Sequence, residues 1–284
     1  MSFRLFPLSF REFLFFKGFD YSEPLTEARR GRLRGFLEKY VRYGGFPGIV
    51  DSSELIKIRT LQEYLDLIVY RDLVERYGVE KTRAMKALMR VVVRNFARKI
   101  SIRKLNGLLA STGTKLSRPT TSEYFSYLED VGFVIPIRKY HPSEVESLRS
   151  TPKIYLADTG FASAFGVEDK EYRIENIVAV ELLRRKHYFE PRLEVHYWDD
   201  GRGEVDFVVS KGFNVVELIQ VSYDVDDTAT MNREIKALLR ASESLSYKKL
   251  TVVTWDYEDI HQVGRKTIRF VLLWRWLLEK PFYY

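Results

Sequence analysis

The sequence predicts an α+β protein of several domains, and three features predict it. A cationic helical stretch occupies the middle of the chain, two short helices joined by a polar turn follow it directly, and strands alternate with helices through the last third. The 284 residues are 45% hydrophobic and 14% aromatic with only 16 Gly and 9 Pro, enough apolar matter for packed cores and too little low-complexity material for a disordered chain. Zero Cys removes disulfides, thiolate nucleophiles and zinc knuckles, and four scattered His (His141, His187, His196, His261) make no multi-histidine cluster from neighbouring positions. A metal in this chain is therefore expected to be a hard ion on oxygen ligands. The apolar N-terminal stretch is interrupted by Arg4, Arg11, Glu12 and Lys17, and no other stretch approaches the length of a membrane span. That points to a soluble, cytoplasmic protein with no membrane partner. Three Gln, five Asn and no Cys point to a thermophilic source, amides and thiols being heat-labile.

The cationic stretch comes first. Residues 1–150 hold 27 Lys+Arg against 17 Asp+Glu, whereas residues 151–284 hold 19 against 22. Between Glu80 and Glu123 lie eleven cations and no acid. Arg83, Lys86, Arg90, Arg94 and Arg98 recur at spacings of three and four, with Met85, Leu88, Met89, Val92 and Phe96 on the other side. One helix is expected to bury the apolar stripe and present a cationic ridge. A merely solvated face normally mixes signs, and this one does not, so the ridge points to phosphates of a nucleic acid.

Residues 101–140 follow. Ile102, Leu105, Leu108 and Leu109 mark one short amphipathic helix; after a Ser/Thr/Gly connection, Pro119 stands in the first turn of a second with Tyr124, Phe125, Leu128 and Val131 apolar, closed by Gly132. Two short helices joined by such a turn predict a helix-turn-helix. The segments VIPIRKY and KIYLAD, parted by the polar stretch from His141 to Pro152, are expected to be the two strands of a wing. A winged helix would offer Arg118, Thr120 and Thr121 at the start of its second helix to base edges. Arg103, Lys104 and Lys115 would meet phosphates beside the ridge. The alternative is a winged helix used only for packing against protein.

The last third predicts an α/β domain: helix IENIVAVELLRR, strands VHYW and EVDFVV, a turn at Lys211 and Gly212, strand VVELIQVSY, a helix from about Thr230 to Ser244, and strand LTVVTW. Asp206 lies inside one apolar run and Gln220 inside the next, where an unpaired polar group is costly. With Glu175 on the preceding helix they are candidate ligands of one divalent ion.

A helix with Glu175, then EVDFVV, then a hairpin partner strand resembles the core of PD-(D/E)XK nuclease-like domains. The resemblance implies that two acids hold Mg²⁺ while a lysine orients water or stabilises charge. Glu175 and Asp206 match the first two acidic positions, but Gln220 stands at the second strand's acid and Ser222 at the lysine. Lys236, on the next helix, is then the candidate for a migrated amine. A wider resemblance covers most of the chain. LFPLSFREFL, YVRYGGFPGIV, YLDLIVYRDL, the helix-turn-helix, EVDFVV and LIQVSYD, in this order, are similar to the part that follows the nucleotide-binding core in archaeal-type AAA+ ATPases with a nuclease-like C-terminal domain. It implies a helical lid-like region over 1–78, a winged-helix domain over 79–160 and a nuclease-like domain over 161–284. No GxxxxGK(S/T) loop occurs, so no ATP site is expected in this chain, and an ATPase would be a separate subunit or a missing domain. Gly44, Gly45, Pro47 and Gly48 have a plainer explanation in a tight turn between helices. The expected function is binding of double-stranded DNA by a protein with a degenerate nuclease-like domain and weak Mg²⁺ affinity. An active Mg²⁺-dependent endonuclease and a module docking to an ATPase are the alternatives.

Overall fold

The computed structural model describes residues 4–22, 26–212, 214–223 and 228–279. They form a mixed α+β chain with helices, one small sheet and one six-stranded mixed sheet. The chain divides into two compact units. A helical unit comprises residues 6–136 and 151–169, and a sheet unit comprises 1–5, 137–150 and 170–284. Residues 6–78, expected to be a lid-like region, and residues 101–132, expected to be a helix-turn-helix, both fall in the helical unit.

In the helical unit α1 (Phe10–Phe16) opens on a capping box: the Glu12 N–H donates to Ser9 Oγ (3.2 Å) and the Ser9 N–H returns to Glu12 Oε2 (2.7 Å). α2 (Glu27–Tyr43) buries Leu33, Leu37, Tyr40 and Val41, at the spacing of one helical face. α3 (Glu54–Leu67) continues directly into a π-helical stretch (Ile68–Glu75). Between α2 and α3 the glycine-rich loop is clamped. Asp158 accepts the Gly45 N–H (2.7 Å) and the Gly160 N–H (2.6 Å) on its two carboxylate oxygens. Gly44 sits at φ +77°, and a Cβ there would fall 1.5 Å from Asp158 Oδ1; one on Gly160 would fall 2.4 Å from the Tyr43 carbonyl. The GGFP segment is thus a backbone-tight socket for a buried carboxylate. Lys57, itself buried, donates to the carbonyls of Ile49 and Val50 just beyond it.

α4 (Thr82–Val93) is next, and it is shorter than the ridge. Its buried stripe includes Met85, Leu88, Met89 and Val92 as expected, but Arg94 is its C-cap. The chain then turns, Ala97 taking φ +56°, into the two-residue strand β1 (Arg98–Lys99). α5 (Ile102–Ser111) and α6 (Arg118–Asp130) begin at Ser101 and Ser117, whose hydroxyls accept the N–H groups of Lys104 and Thr120. β2 (Val134–Ile137) and β3 (Lys153–Leu156) complete a sheet of order β1-β3-β2. The stretch between them departs from a simple hairpin tip. It contains α7 (Glu144–Arg149), and residues 137–150 belong to the sheet unit. α8 (Gly160–Ala164) ends the helical unit.

The sheet unit starts with α9 (Lys170–Tyr188). Strands β4 (Leu193–Asp199), β5 (Glu204–Lys211) and β6 (Asn214–Ser222) form an antiparallel meander. Helix α10 (Thr228–Ser244) then crosses to β7 (Lys249–Thr254), which pairs parallel with β6. β8 (Asp259–Val263) and β9 (Lys266–Leu272) extend the sheet, whose order is β4-β5-β6-β7-β9-β8, and α11 (Leu273–Leu278) follows. Val208, Leu218, Leu250, Val252, Ile268 and Phe270 pack with Ala237, Leu238 and Ala241 of α10 in one core. At the outer edge of β4 the Tyr140 N–H donates to the Tyr197 carbonyl (2.7 Å) and the Tyr197 N–H to the Arg138 carbonyl (3.1 Å), so residues 138–140 cover the open strand.

Gly44→Ala is expected to destabilise the protein by about 2 kcal/mol or more, because the new methyl collides with Asp158 in a backbone conformation costly for Ala. Gly31→Ala, on α2 with open space around it, is expected to stabilise by roughly 0.5–1 kcal/mol. Urea unfolding of the two variants against the parent checks both signs.

Candidate functional site

Two places carry the chemistry, one in each unit. In the helical unit Arg83, Arg90, Arg94, Arg98, Arg103, Lys104, Lys115 and Arg118 are all exposed. The capping hydroxyls of Ser101 and Ser117 start α5 and α6 so that Arg103, Lys104 and Arg118 fall in or beside first turns.

Several residues depart from the sequence reading. Arg98 is not on the ridge helix; it lies in β1 opposite Ile154, because the chain leaves the helix after Val93. Lys86 is not an unopposed cation. Its ammonium pairs with Asp66 (2.7 Å) and lies 4.8 Å from the Tyr70 ring centre, since α3 and its π-helical continuation bring an acid that is remote in sequence. Arg90 lies over Phe165 at 5.9 Å and remains exposed. Thr121 faces inward, fully buried, donating to the Ser117 carbonyl (2.9 Å) and accepting from Asn106 Nδ2 (2.9 Å), so it locks the turn and offers nothing to a groove. Thr120 is bonded to Ser117 Oγ (2.8 Å) within the cap. The outward surface of α6 also carries Glu123 and Asp130, which confines its positive charge to the N-terminal end.

In the sheet unit, period-two alternation along β5 puts Asp206 on the same face as Val208, and along β6 it puts Gln220 and Ser222 on the face of Leu218. That is the face beneath α10. Asp206 is 6% exposed, and its Oδ2 accepts the Val221 N–H (2.9 Å). Its own N–H donates to Gln220 Oε1 (3.3 Å), so Asp206 and Gln220 do meet across the hairpin. Glu175 is buried in the second turn of α9. Among the described residues no group of three or more His, Asp or Glu side chains converges in a way that would hold a metal. Lys236 brings no amine here. It is exposed on α10, two residues and so more than half a turn from the buried position 234. Asp224, the end of the LIQVSYD motif, lies outside the described residues.

What α10 does bring was not read from the sequence. Glu234 is 8% exposed, takes a hydrogen bond from the Ser222 side chain and faces the Asp206 carboxylate. Its Oε2 is buried with no hydrogen-bond partner. Burial, with the Asp206 charge beside it, pushes its carboxyl up to about 8. The signal was present in the sequence: Glu234, Ala237, Leu238 and Ala241 stand at i, i+3, i+4 and i+7, so an acid occupies one place in the apolar stripe of α10.

Two families match this chain in succession: "Domain of unknown function (DUF8612)" over residues 34–171 and "Domain of unknown function (DUF4143)" over residues 173–272. The step from one to the other falls in the first turn of α9. An uncharacterized protein of Methanocaldococcus jannaschii is 33% identical over 283 residues, covering 96% of this chain and 62% of the relative. An uncharacterized protein of Haemophilus influenzae is 28% identical over 279 residues, covering 97% and 64%. The chain thus spans a little under two thirds of the length of these relatives. Among solved structures, a refined half-complex from a tetradecameric assembly of Thermococcus gammatolerans McrB AAA+ hexamers with bound McrC matches 66% of this chain and 46% of its own. That match has 14% identity and a TM-score of 0.29, too low to carry a fold assignment. No helix among the described residues is long and apolar enough to cross a membrane.

Glu234 gives the protein a pH dependence of defined sign. The carboxyl titrates near 4.5 in the unfolded chain and near 8 in the folded one, so between these values the folded state holds the extra proton. Its contribution to stability is complete below about pH 4.5, declines as pH rises to about 8 and is level beyond, with a slope of at most about 1.4 kcal/mol per pH unit. Glu234→Gln is expected to remove this decline, so that in the presence of EDTA the variant gains on the parent steadily from pH 5 to 8 in chemical unfolding.

Proposed function

We propose that this chain binds double-stranded DNA through its helical unit, in partnership with an ATPase, while its sheet unit is a nuclease-like domain that does not cleave. The observation that carries the reading is the set of exposed cations on α4, β1, α5, the α5–α6 turn and the start of α6, uninterrupted in sequence by any acid. Its effect on DNA is electrostatic: each phosphate neutralised releases counterions, so binding should fall steeply with salt. The order α4-β1-α5-α6-β2-β3 with sheet order β1-β3-β2 supports a winged helix, in which α6 addresses the major groove from its N-terminal end. Arg118 and Lys115 then stand at the groove, and Arg83, Arg90 and Arg94 along the ridge reach phosphates. Thr121 is absent from this interface.

The element order α9-β4-β5-β6-α10-β7 supports the nuclease-like assignment, and the same unit supports its silence. Gln220 takes a strand position where the resemblance implies an acid, Ser222 takes the lysine's, and Lys236 points to solvent. Cleavage of a phosphodiester needs charge or a base to prepare water, and loss of one such contributor costs on the order of a hundredfold or more in rate. The ATPase partner rests on the ordered motifs that resemble those of archaeal-type AAA+ ATPases.

Arg90→Glu with Arg94→Glu is expected to weaken duplex DNA binding at least tenfold, about 1.4 kcal/mol, at low salt without changing the far-ultraviolet spectrum. Fluorescence anisotropy with a mixed-sequence duplex at two salt concentrations measures it, and an unchanged affinity would remove the ridge from the interface. The purified protein is also expected to leave plasmid DNA intact in Mn²⁺. Cleavage that disappears in Asp206→Ala would establish the endonuclease in place of the silent domain.

A further inference from the structure

The six-stranded sheet ends in two edges that the chain treats differently. At β4 the Tyr140 N–H and the Arg138 carbonyl occupy the edge, whereas among the described residues β8 pairs with β9 alone. An uncovered edge is a template for another strand. We infer that β8 is an interface between two copies of this chain, which pair antiparallel about His261 and join their sheets into one. The inference concerns the sheet unit and does not rest on DNA binding by the helical unit.

The register of the β8–β9 hairpin determines which backbone groups the edge offers. Val263 lies opposite Lys266 across the tight turn at Gly264 and Arg265, with Gly264 at φ +61°. In such a hairpin the residues flanking the turn exchange hydrogen bonds, and every second pair after them does so too. Val263, His261 and Asp259 therefore spend their backbone groups on β9, and those of Ile260 and Gln262 face outward. Two contacts agree with this. The N–H of Thr267, which stands opposite Gln262, turns away from β8 to the Lys248 carbonyl (3.1 Å). The Ile260 N–H is taken by Asp259 Oδ1 (2.8 Å) rather than by β9.

The side chains and charges along this edge fit a second copy. Ile260 is 63% exposed and Val263 41% exposed, apolar surface that an edge kept apart from other strands replaces with charge or proline. Pairing about His261 sets Ile260 opposite Gln262 of the other copy and makes the two Ile260 side chains diagonal neighbours on one face. Glu258 and Asp259 stand on the N-terminal side of His261, and Arg265 and Lys266 on its C-terminal side. Antiparallel pairing brings the acidic end of each copy to the basic end of the other; parallel pairing would lay like charges side by side. The Gln262 carbonyl of each copy replaces Asp259 on the Ile260 N–H of the other, and about four backbone hydrogen bonds close the junction. A two-fold contact of this kind is complete at two chains, and the covered β4 edge offers the joined sheet no place to grow.

Sedimentation velocity of the full chain, from low micromolar to about 100 µM, is expected to show a reversible monomer–dimer equilibrium. Ile260→Lys puts a charge on the exposed edge, and Gln262→Pro removes an outward N–H that β9 does not use. Each is expected to raise the dimer dissociation constant at least tenfold, with the unfolding midpoint of Ile260→Lys unchanged when both chains are monomeric. Leu148→Lys, on the similarly exposed Leu148 of α7, is expected to dimerise as the parent does. The absence of Cys from the sequence permits a geometric test as well. His261→Cys places one thiol per chain on the two-fold axis, where opposed residues outside the hydrogen-bonded pairs have Cα atoms ~4.5 Å apart, within disulfide reach. In a glutathione redox buffer it is expected to form a covalent dimer, whereas Val263→Cys, displaced along the strand from its counterpart, is not. A parent that sediments as a monomer throughout would overturn the inference and leave the edge to a foreign strand. A dimer weakened by neither Ile260→Lys nor Gln262→Pro would lie on another surface and overturn it equally. Cross-linking of Val263→Cys in place of His261→Cys would overturn the register on which the pairing rests.

Discussion

The sheet unit turns on one constraint: two adjacent strands commit polar side chains to the face that a helix must cover. Val208 and Leu218 have to be buried under α10, and the alternation that buries them carries Asp206, Gln220 and Ser222 to the same side. A sheet cannot shift by one residue to expose these groups without exposing Val208 and Leu218 instead. The helix therefore arrives over a polar patch at one end of an apolar core, and its Glu234 meets that patch rather than solvent. Everything specific about the unit, from the raised Glu234 carboxyl to the Asp206–Gln220 contact, follows from this forced juxtaposition.

The helical unit solves a related problem in the opposite way. Asp158 is also buried, but backbone N–H groups of Gly45 and Gly160 satisfy both of its oxygens. Only glycine leaves room for that approach at Gly44, Gly45 and Gly160, where a methyl would fall within 2.5 Å of the carboxylate or a neighbouring carbonyl oxygen. The clamp links the loop after α2 to the turn after β3, and so connects the N-terminal helices to the same small sheet that supports α5 and α6. A carboxylate that is fully bonded rigidifies its surroundings, whereas one buried beside another carboxylate holds its proton to a higher pH. The contrast between Asp158 and Glu234 is one between a carboxylate with both oxygens bonded and one with an unbonded oxygen.

Much of this was legible in the sequence where periodicity is strong and local. The buried stripe of α4, the two helices over 101–132, strands β4 to β7 and the meeting of Asp206 with Gln220 all follow from spacing alone. What was illegible depended on long-range partners. Lys86 looked unopposed because Asp66 is twenty residues away, and Thr121 looked available because only packing reveals that Asn106 and the Ser117 carbonyl claim it. The ridge looked one turn too long because arginine spacing does not register the left-handed Ala97 that turns the chain into β1. Glu234 was within reach, an acid in an apolar stripe, but the familiar pattern of strand acids and lysine drew attention to Lys236, which the helix turns outward.

Residues 138–150, between β2 and β3, belong to the sheet unit, not to the helical one. A free wing would add its tip to the contact surface beside the second helix of the motif. Here residues 138–140 are hydrogen-bonded to the β4 edge at Tyr197, and α7 follows with Ser147 Oγ donating to the Lys139 carbonyl (2.7 Å). The bonds that a wing tip would direct outward are consumed in closing an exposed strand edge, a hazard that proteins cover by such means. Arg138 is likewise engaged, donating to the Leu148 carbonyl (2.7 Å). The exposed cations of the helical unit that no acid interrupts in sequence therefore lie on α4, β1, α5, the turn to α6 and its first residues. α6 itself ends in the acids Glu129 and Asp130, so its positive charge stands at its N-terminal end.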